Sequence, residues 1–190
     1  MSRIEFPSPD TMSPEQRAVY DKVVNGPRGK LSGPLRAALY NPELADRWQA
    51  LGALLRYGTT LPPRLSEIAI LVTGRCCNAP FEWYMHRIEG EKAGIESHLI
   101  ESLLKQTPPA FDSPDDALIY AFALELNQTK SVSDTTYAAA LARFGARTLV
   151  ELTALVGYYT LVAMTLNTHE IPLPPGVEPA FAMPQHQLPP

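Results

Sequence analysis

The stretch Asn78-Ala79-Pro80-Phe81-Glu82-Trp83-Tyr84-Met85-His86 decides how this chain is read. It has the marks of a helix start. Asn78 is a good N-cap, and Pro80 suits a first turn, where its missing N–H would have had no partner anyway. Glu82 and His86 stand four apart, so a helix puts both side chains on one face. There the carboxylate can orient the imidazole and raise its basicity, which makes an acid/base unit. The same spacing also describes a plain surface ion pair worth about 0.2–0.5 kcal/mol.

Working outward, the preceding segment reads as a helix from about Arg64 to Cys76 or Cys77, with Leu65, Ile68, Ala69, Leu71 and Val72 apolar. Glu67 lies among them. It is either the polar edge of an amphipathic helix or a buried carboxylate that needs a partner. In the second case His86, on the next antiparallel helix, is the natural partner. Two carboxylates near one histidine push their proton affinities apart, which suits proton transfer near neutral pH.

The remaining segments are helical too. Ser13-Pro14-Glu15-Gln16 has the form of a capping box with Pro at N1, and Asn25-Gly26-Pro27 stops the helix that follows. A short helical turn covers Leu35 to Tyr40. Asn41-Pro42 opens a helix with Leu44, Trp48, Leu51 and Leu55 in one stripe. The helix after Asn78 ends near Gly94, and Glu96 to Lys105 forms a short amphipathic one. Ser113-Pro114 starts another. Thr135 to Phe144 is stopped by Gly145, and Ala146 to Asn167 is apolar nearly all round, so it is expected in the core or in an interface. No segment alternates with period two. The expectation is an all-α protein of about eight helices.

The totals narrow the function classes. The 190 residues include 19 prolines and carry a formal charge of −4, with no basic cluster. Nucleic acid and anionic membrane are therefore not expected as partners. Met1 to Asp10 is polar, which predicts no signal peptide, and Leu149 to Leu166 carries Glu151 and several Thr and Gly, so no bilayer span is expected. A cytoplasmic location follows as an expectation. Cys76 and Cys77, the only cysteines, are adjacent and poorly placed to bridge each other. They read as core filling, and the alternative is redox work. No His, Cys or carboxylate grouping has metal-ligand spacing, and no glycine-rich phosphate loop is present, so no metal or cofactor is expected.

Glu67, then Asn78 to His86, then Ala93-Gly94 resemble the carboxymuconolactone decarboxylase family of the alkylhydroperoxidase D-like superfamily. Val150-Glu151-Leu152 and Gly157-Tyr158-Tyr159 resemble the same family's long C-terminal helix. The likeness spans roughly residues 40–170. It divides the chain into an N-terminal arm and helix (1–30), a helical domain (31–170) and a proline-rich tail (171–190) expected to lie extended over a surface or on a neighbouring subunit. The superfamily's peroxidases carry a glutamate, a C-x-x-C pair and a histidine. Glu67 and His86 match the outer two, but the cysteine positions fall on Ala79 and Glu82, with Cys76 and Cys77 a turn too early. The resemblance therefore points to the decarboxylase-type branch. It implies a lyase without cofactors, acting on a small carboxylated lactone or oxo-acid of aromatic-compound breakdown and assembled as a homo-oligomer, dimer to hexamer.

On that reading His86 donates to the developing oxyanion or protonates carbon, Glu82 orients it, and Glu67 shares the proton. Arg75 or Arg36 would anchor a substrate carboxylate, and Trp83 would wall the pocket. Two other classes remain: a non-catalytic binding or assembly protein of the same fold, and a thiol-dependent antioxidant protein using Cys76 or Cys77.

Overall fold

Six of the helices begin on a proline, which accounts for part of the unusual proline content. The computed structural model describes residues 2–31 and 33–182, and among them eight helices and no strand. In chain order they are α1 (Pro14–Val24), α2 (Pro34–Ala38), α3 (Pro42–Tyr57), α4 (Pro63–Cys76), α5 (Pro80–Lys92), α6 (Ser97–Lys105), α7 (Pro114–Thr129) and α8 (Asp134–Thr168). The expected all-α architecture is thus the observed one. Local chemistry sets most of the helix starts. Ser13 and Gln16 close a reciprocal capping box on α1, while Asn41, Ser113 and Ser133 cap α3, α7 and α8 through their side chains.

The central element is α4. Every residue from Leu65 to Gly74 is buried, because α5, α7 and α8 all pack on it and α6 covers part of it. A helix enclosed in this way must be apolar on all sides, apart from polar groups that find partners. Thr73 Oγ1 satisfies that rule by donating to Ala69 O and accepting from Asn127 Nδ2 of α7. On the outer side of the bundle, α1 and α2 pack against α3, and α2 and α3 against α8. The N-terminal segment is not a detached arm, since Ile4, Phe6 and Met12 pack against the core. Arg64, at the start of α4, binds Asp116 of α7, Glu96 before α6 and the carbonyl of Gly94, tying three elements together.

Four local readings are corrected. Ala79, not Asn78, is the N-cap of α5. Asn78 takes a left-handed backbone, φ 47°, because the α4–α5 connector must reverse within a few residues, and asparagine tolerates that region. In α3 the buried side is Ala45, Trp48, Gly52 and Leu55, which leaves Leu44 and Leu51 exposed. The segment from Ala146 onward is not enclosed: Val150, Leu161 and Met164 face outward. Finally, α8 contains a window of mean hydropathy 1.6, apolar and long enough to match a membrane span. Half of that window is buried against the protein's own helices. The helix also breaks at Gly145 (φ 79°), where the expected stop falls.

The tail after α8 lies against its own chain as far as it is described. Ile171 is buried, and Phe181 meets Trp83 edge-on, with ring centroids 6.1 Å apart. The expectation for residues 183–190 lies outside the described residues.

Candidate active site

Glu82, Met85, His86 and Glu89 fall at i, i+3, i+4 and i+7 on α5, so one helical face carries all four. That face lines a cavity of about 240 Å³, together with Arg28 and Lys30 of the α1–α2 loop, Arg56 and Tyr57 of α3, and Tyr158 and Tyr159 of α8. Pro34 and Leu35 of α2 complete the lining, so the cavity lies where four helices and one loop converge.

Glu67 comes to the same place from α4. His86 Nδ1 and Glu67 Oε2 are 2.7 Å apart, with both residues buried. A carboxylate can only accept, so Nδ1–H is the donor in this pair, and in the neutral ring Nε2 then carries the lone pair. The Tyr159 ring stands edge-on to the imidazole at 4.8 Å and holds its plane. Burial keeps the Tyr159 phenol far above its usual proton affinity, so it stays neutral.

Glu82 is 2% exposed, and neither carboxyl oxygen has a hydrogen-bond partner among the described residues. Burial, helped by the charge of Glu67, pushes this carboxyl well above the ordinary carboxylate range. The site therefore favours the neutral acid, which can donate one O–H bond. This exchanges the roles expected for the two carboxylates. Glu67 is the group that orients His86, and Glu82 is the free acid. Four-residue spacing allows Glu82 to reach His86, but the ring is turned toward α4 instead.

The other expected residues lie elsewhere. Trp83, one position after Glu82, is about 100° further round α5 and is buried in the core rather than lining the cavity. Arg75 donates from Nε to Leu104 O at 2.8 Å and from Nη1 to Asn78 Oδ1 at 2.6 Å, with its guanidinium over Phe181. It bridges α4 to the end of α6 and does not face the cavity. Arg36 is exposed and stacks on Phe6 at 4.2 Å. The cavity's cations are instead Arg28, Lys30 and Arg56, none of which the sequence singled out. Glu89 and Met85 could have been found from their spacing to His86. Arg28 and Arg56 reach the site from distant segments and carry no local signal.

Cys76 and Cys77 are half-buried free thiols. Burial raises both, Cys77 to about 11 with help from the nearby Glu82. A group of that basicity holds almost no thiolate at neutral pH. Among the described residues no group of three or more His, Cys, Asp and Glu is placed to hold a metal ion.

No protein-family model and no curated protein matches the sequence. Among solved structures the chain is similar to an uncharacterised peroxidase-related protein from Ralstonia eutropha JMP134, described as an alkylhydroperoxidase AhpD core. The TM-score is 0.76 at 14% identity, over 92% of this chain and 93% of the other. At that identity the likeness establishes a shared alkylhydroperoxidase D-like helical fold.

Proposed function

We propose that this chain is an acid/base enzyme that needs no cofactor and moves a proton at carbon in a small carboxylated lactone or oxo-acid. The observation that carries the proposal is a buried Glu82 carboxyl, without a hydrogen-bond partner among the described residues, lining the same cavity as a buried His86–Glu67 pair. A carbon acid next to a carbonyl becomes reactive when its enolate oxygen receives a hydrogen bond and a base stands at the carbon. Glu82 supplies the O–H, held neutral as the donor role demands. His86 Nε2 supplies the base, and Glu67 stabilises the imidazolium that forms.

The same parts serve decarboxylation, the finer reading suggested by the family resemblance. Loss of CO2 leaves an electron pair that the lactone carbonyl accepts as a dienolate. Glu82 donates a hydrogen bond to that oxygen; for this reaction His86 enters as the imidazolium paired with Glu67, gives its Nε2 proton to carbon, and takes another from water after product leaves. A thiol-peroxidase reading needs an accessible thiolate, and the raised proton affinity of Cys76 and Cys77 argues against it.

The test is proton exchange. Carboxylated butenolides and small 2-oxo-acids are incubated with the protein in D2O and followed by proton NMR. The wild type should exchange or decarboxylate at least one of them. His86→Gln should lower that rate by about 10²–10⁴-fold while the fold is retained. Undiminished exchange in His86→Gln, or none in the wild type across the panel, would reject the proposal.

A further inference from the structure

The cavity holds more positive charge than the proton-transfer groups require. Three cations line it, Arg28, Lys30 and Arg56. Against them, burial favours the neutral form of Glu82. Glu89 is already bound to Lys92 at 2.9 Å, and Glu67 is engaged with His86. Elsewhere every arginine but Arg36, which is exposed and stacked on Phe6, has an oxygen partner. Arg3, Arg17, Arg47, Arg64, Arg87, Arg143 and Arg147 pair with carboxylates, and Arg75 with a carbonyl and an amide oxygen.

Arg28 is the exception with the strongest consequence. Its Nε and Nη2 are shut off from solvent and reach no carboxylate or carbonyl among the described residues, the neutral Tyr158 hydroxyl beside Nη2 being the one polar group at hand. Those two nitrogens share one edge of the guanidinium, where two parallel N–H bonds match the two oxygens of a carboxylate. A buried guanidinium edge with only a neutral hydroxyl beside it keeps most of its desolvation cost, and an anion offsets that cost. The chain also invests in placing Arg28. Gly33, at φ 55°, closes the loop directly onto Phe81 of α5, and Gly52 of α3 leaves the space in which the Arg28 guanidinium and the Tyr158 hydroxyl sit side by side. Arg56, which also lines the cavity, makes no ion pair with a described residue either, and its guanidinium lies over Tyr57 at 5.2 Å.

We infer that Arg28 is the carboxylate-binding residue of this cavity, with Arg56 as a second source of positive charge, and that the substrate is a small carboxylic acid held by its carboxylate at Arg28 while its reacting carbon faces His86. This deepens the acid/base reading and rests on it only for the orientation of the ligand. Arg28 is then a specificity-determining residue. It separates acids from their neutral esters and amides.

The probes are γ-carboxy-γ-butyrolactone, a saturated lactone that cannot form the dienolate, and its carboxamide. Binding is measured by calorimetry at pH 7. The wild type should bind the acid at least tenfold more tightly than the amide. Arg28→Gln should abolish that preference, and Arg28→Lys, which keeps the charge but loses the fork, should retain part of it. His86→Gln should bind the acid as the wild type does. A wild type that binds neither probe, or does not distinguish them, overturns the inference, as does a folded Arg28→Gln that keeps the preference. The acid/base reading fails separately: an acid preference at Arg28 with no proton exchange in any assay would leave an anion site without the proposed chemistry.

Discussion

Glu82 is the residue whose chemistry departs furthest from its type, and its proton can be followed without any substrate. In the unfolded chain a glutamate ionises near pH 4.3. In the folded protein, burial and the Glu67 charge keep Glu82 protonated well above that. Between those two values the unfolded state loses its proton and the folded state does not, so Glu82 draws stability down as pH rises, by up to about 1.4 kcal/mol per pH unit. Below the lower value both states are protonated and the effect vanishes. Glu82→Gln copies the neutral acid in shape and cannot ionise. Its Tm should match the wild type near pH 4 and exceed it increasingly as pH rises from 5 toward neutrality. A Tm difference that is flat across that range would mean that Glu82 is ionised in the folded protein, and the donor role assigned to it would fall.

At the scale of elements the site depends on how closely α3 and α8 approach. Gly52 stands where Tyr158 crosses α3, and a methyl group there would overlap the Tyr158 hydroxyl and the Arg28 guanidinium. The tyrosine ring is rigid along its axis, so it must tilt out of its T-shaped contact with Trp48, whose centroid is 6.5 Å away. Gly52→Ala should therefore cost about 1–3 kcal/mol despite the better helix propensity of alanine, and it should lower the Tm by several degrees in a thermal melt. A stabilised variant would mean that the two helices have room to spare. The same distinction between local and distant causes explains what could be read in the sequence. Capping signals at Ser13, Asn41 and Ser113 act within three residues of themselves, so they gave the starts of α1, α3 and α7 correctly. Asn78 misled because the residue type that caps helices is also the one that tolerates a left-handed backbone. The His86–Glu67 pairing was legible once α4 and α5 were taken as antiparallel neighbours. The rotation of the imidazole toward α4 was not, because it depends on packing against Tyr159 of α8. Arg28 and Arg56 come from other elements altogether, and a lone arginine carries no periodicity that points to a partner.

At the scale of the whole molecule, the outer side of α8 is unlike an ordinary solvated helix. Val150, Ala154, Gly157, Leu161 and Met164 repeat at alternating spacings of four and three and are all exposed, with Val150 at 70% and Met164 at 61%. That is the seam pattern by which one helix docks on another, and the small residues at its centre allow close backbone approach. A Cβ added at Gly157 would meet nothing within 4 Å among the described residues. On α3 a second apolar set (Leu44, Leu51, Leu54 and Tyr57) also faces outward. A single chain leaves both surfaces in water, at a cost that a second copy of the chain would remove. The expected state is therefore a homo-oligomer that buries the α8 seam. Sedimentation velocity should show the wild type as a dimer or larger at micromolar concentration. Leu161→Glu combined with Met164→Lys, both pointing away from the chain's own core, should shift it toward single chains with little loss of helix content. A wild type that sediments as a single chain at tens of micromolar would reject the assembly. Because the cavity is formed by α2 and the inner faces of α3, α5 and α8, the dissociated variant should retain carboxylate binding at Arg28. Loss of binding on dissociation would instead show that assembly holds those inner faces in place.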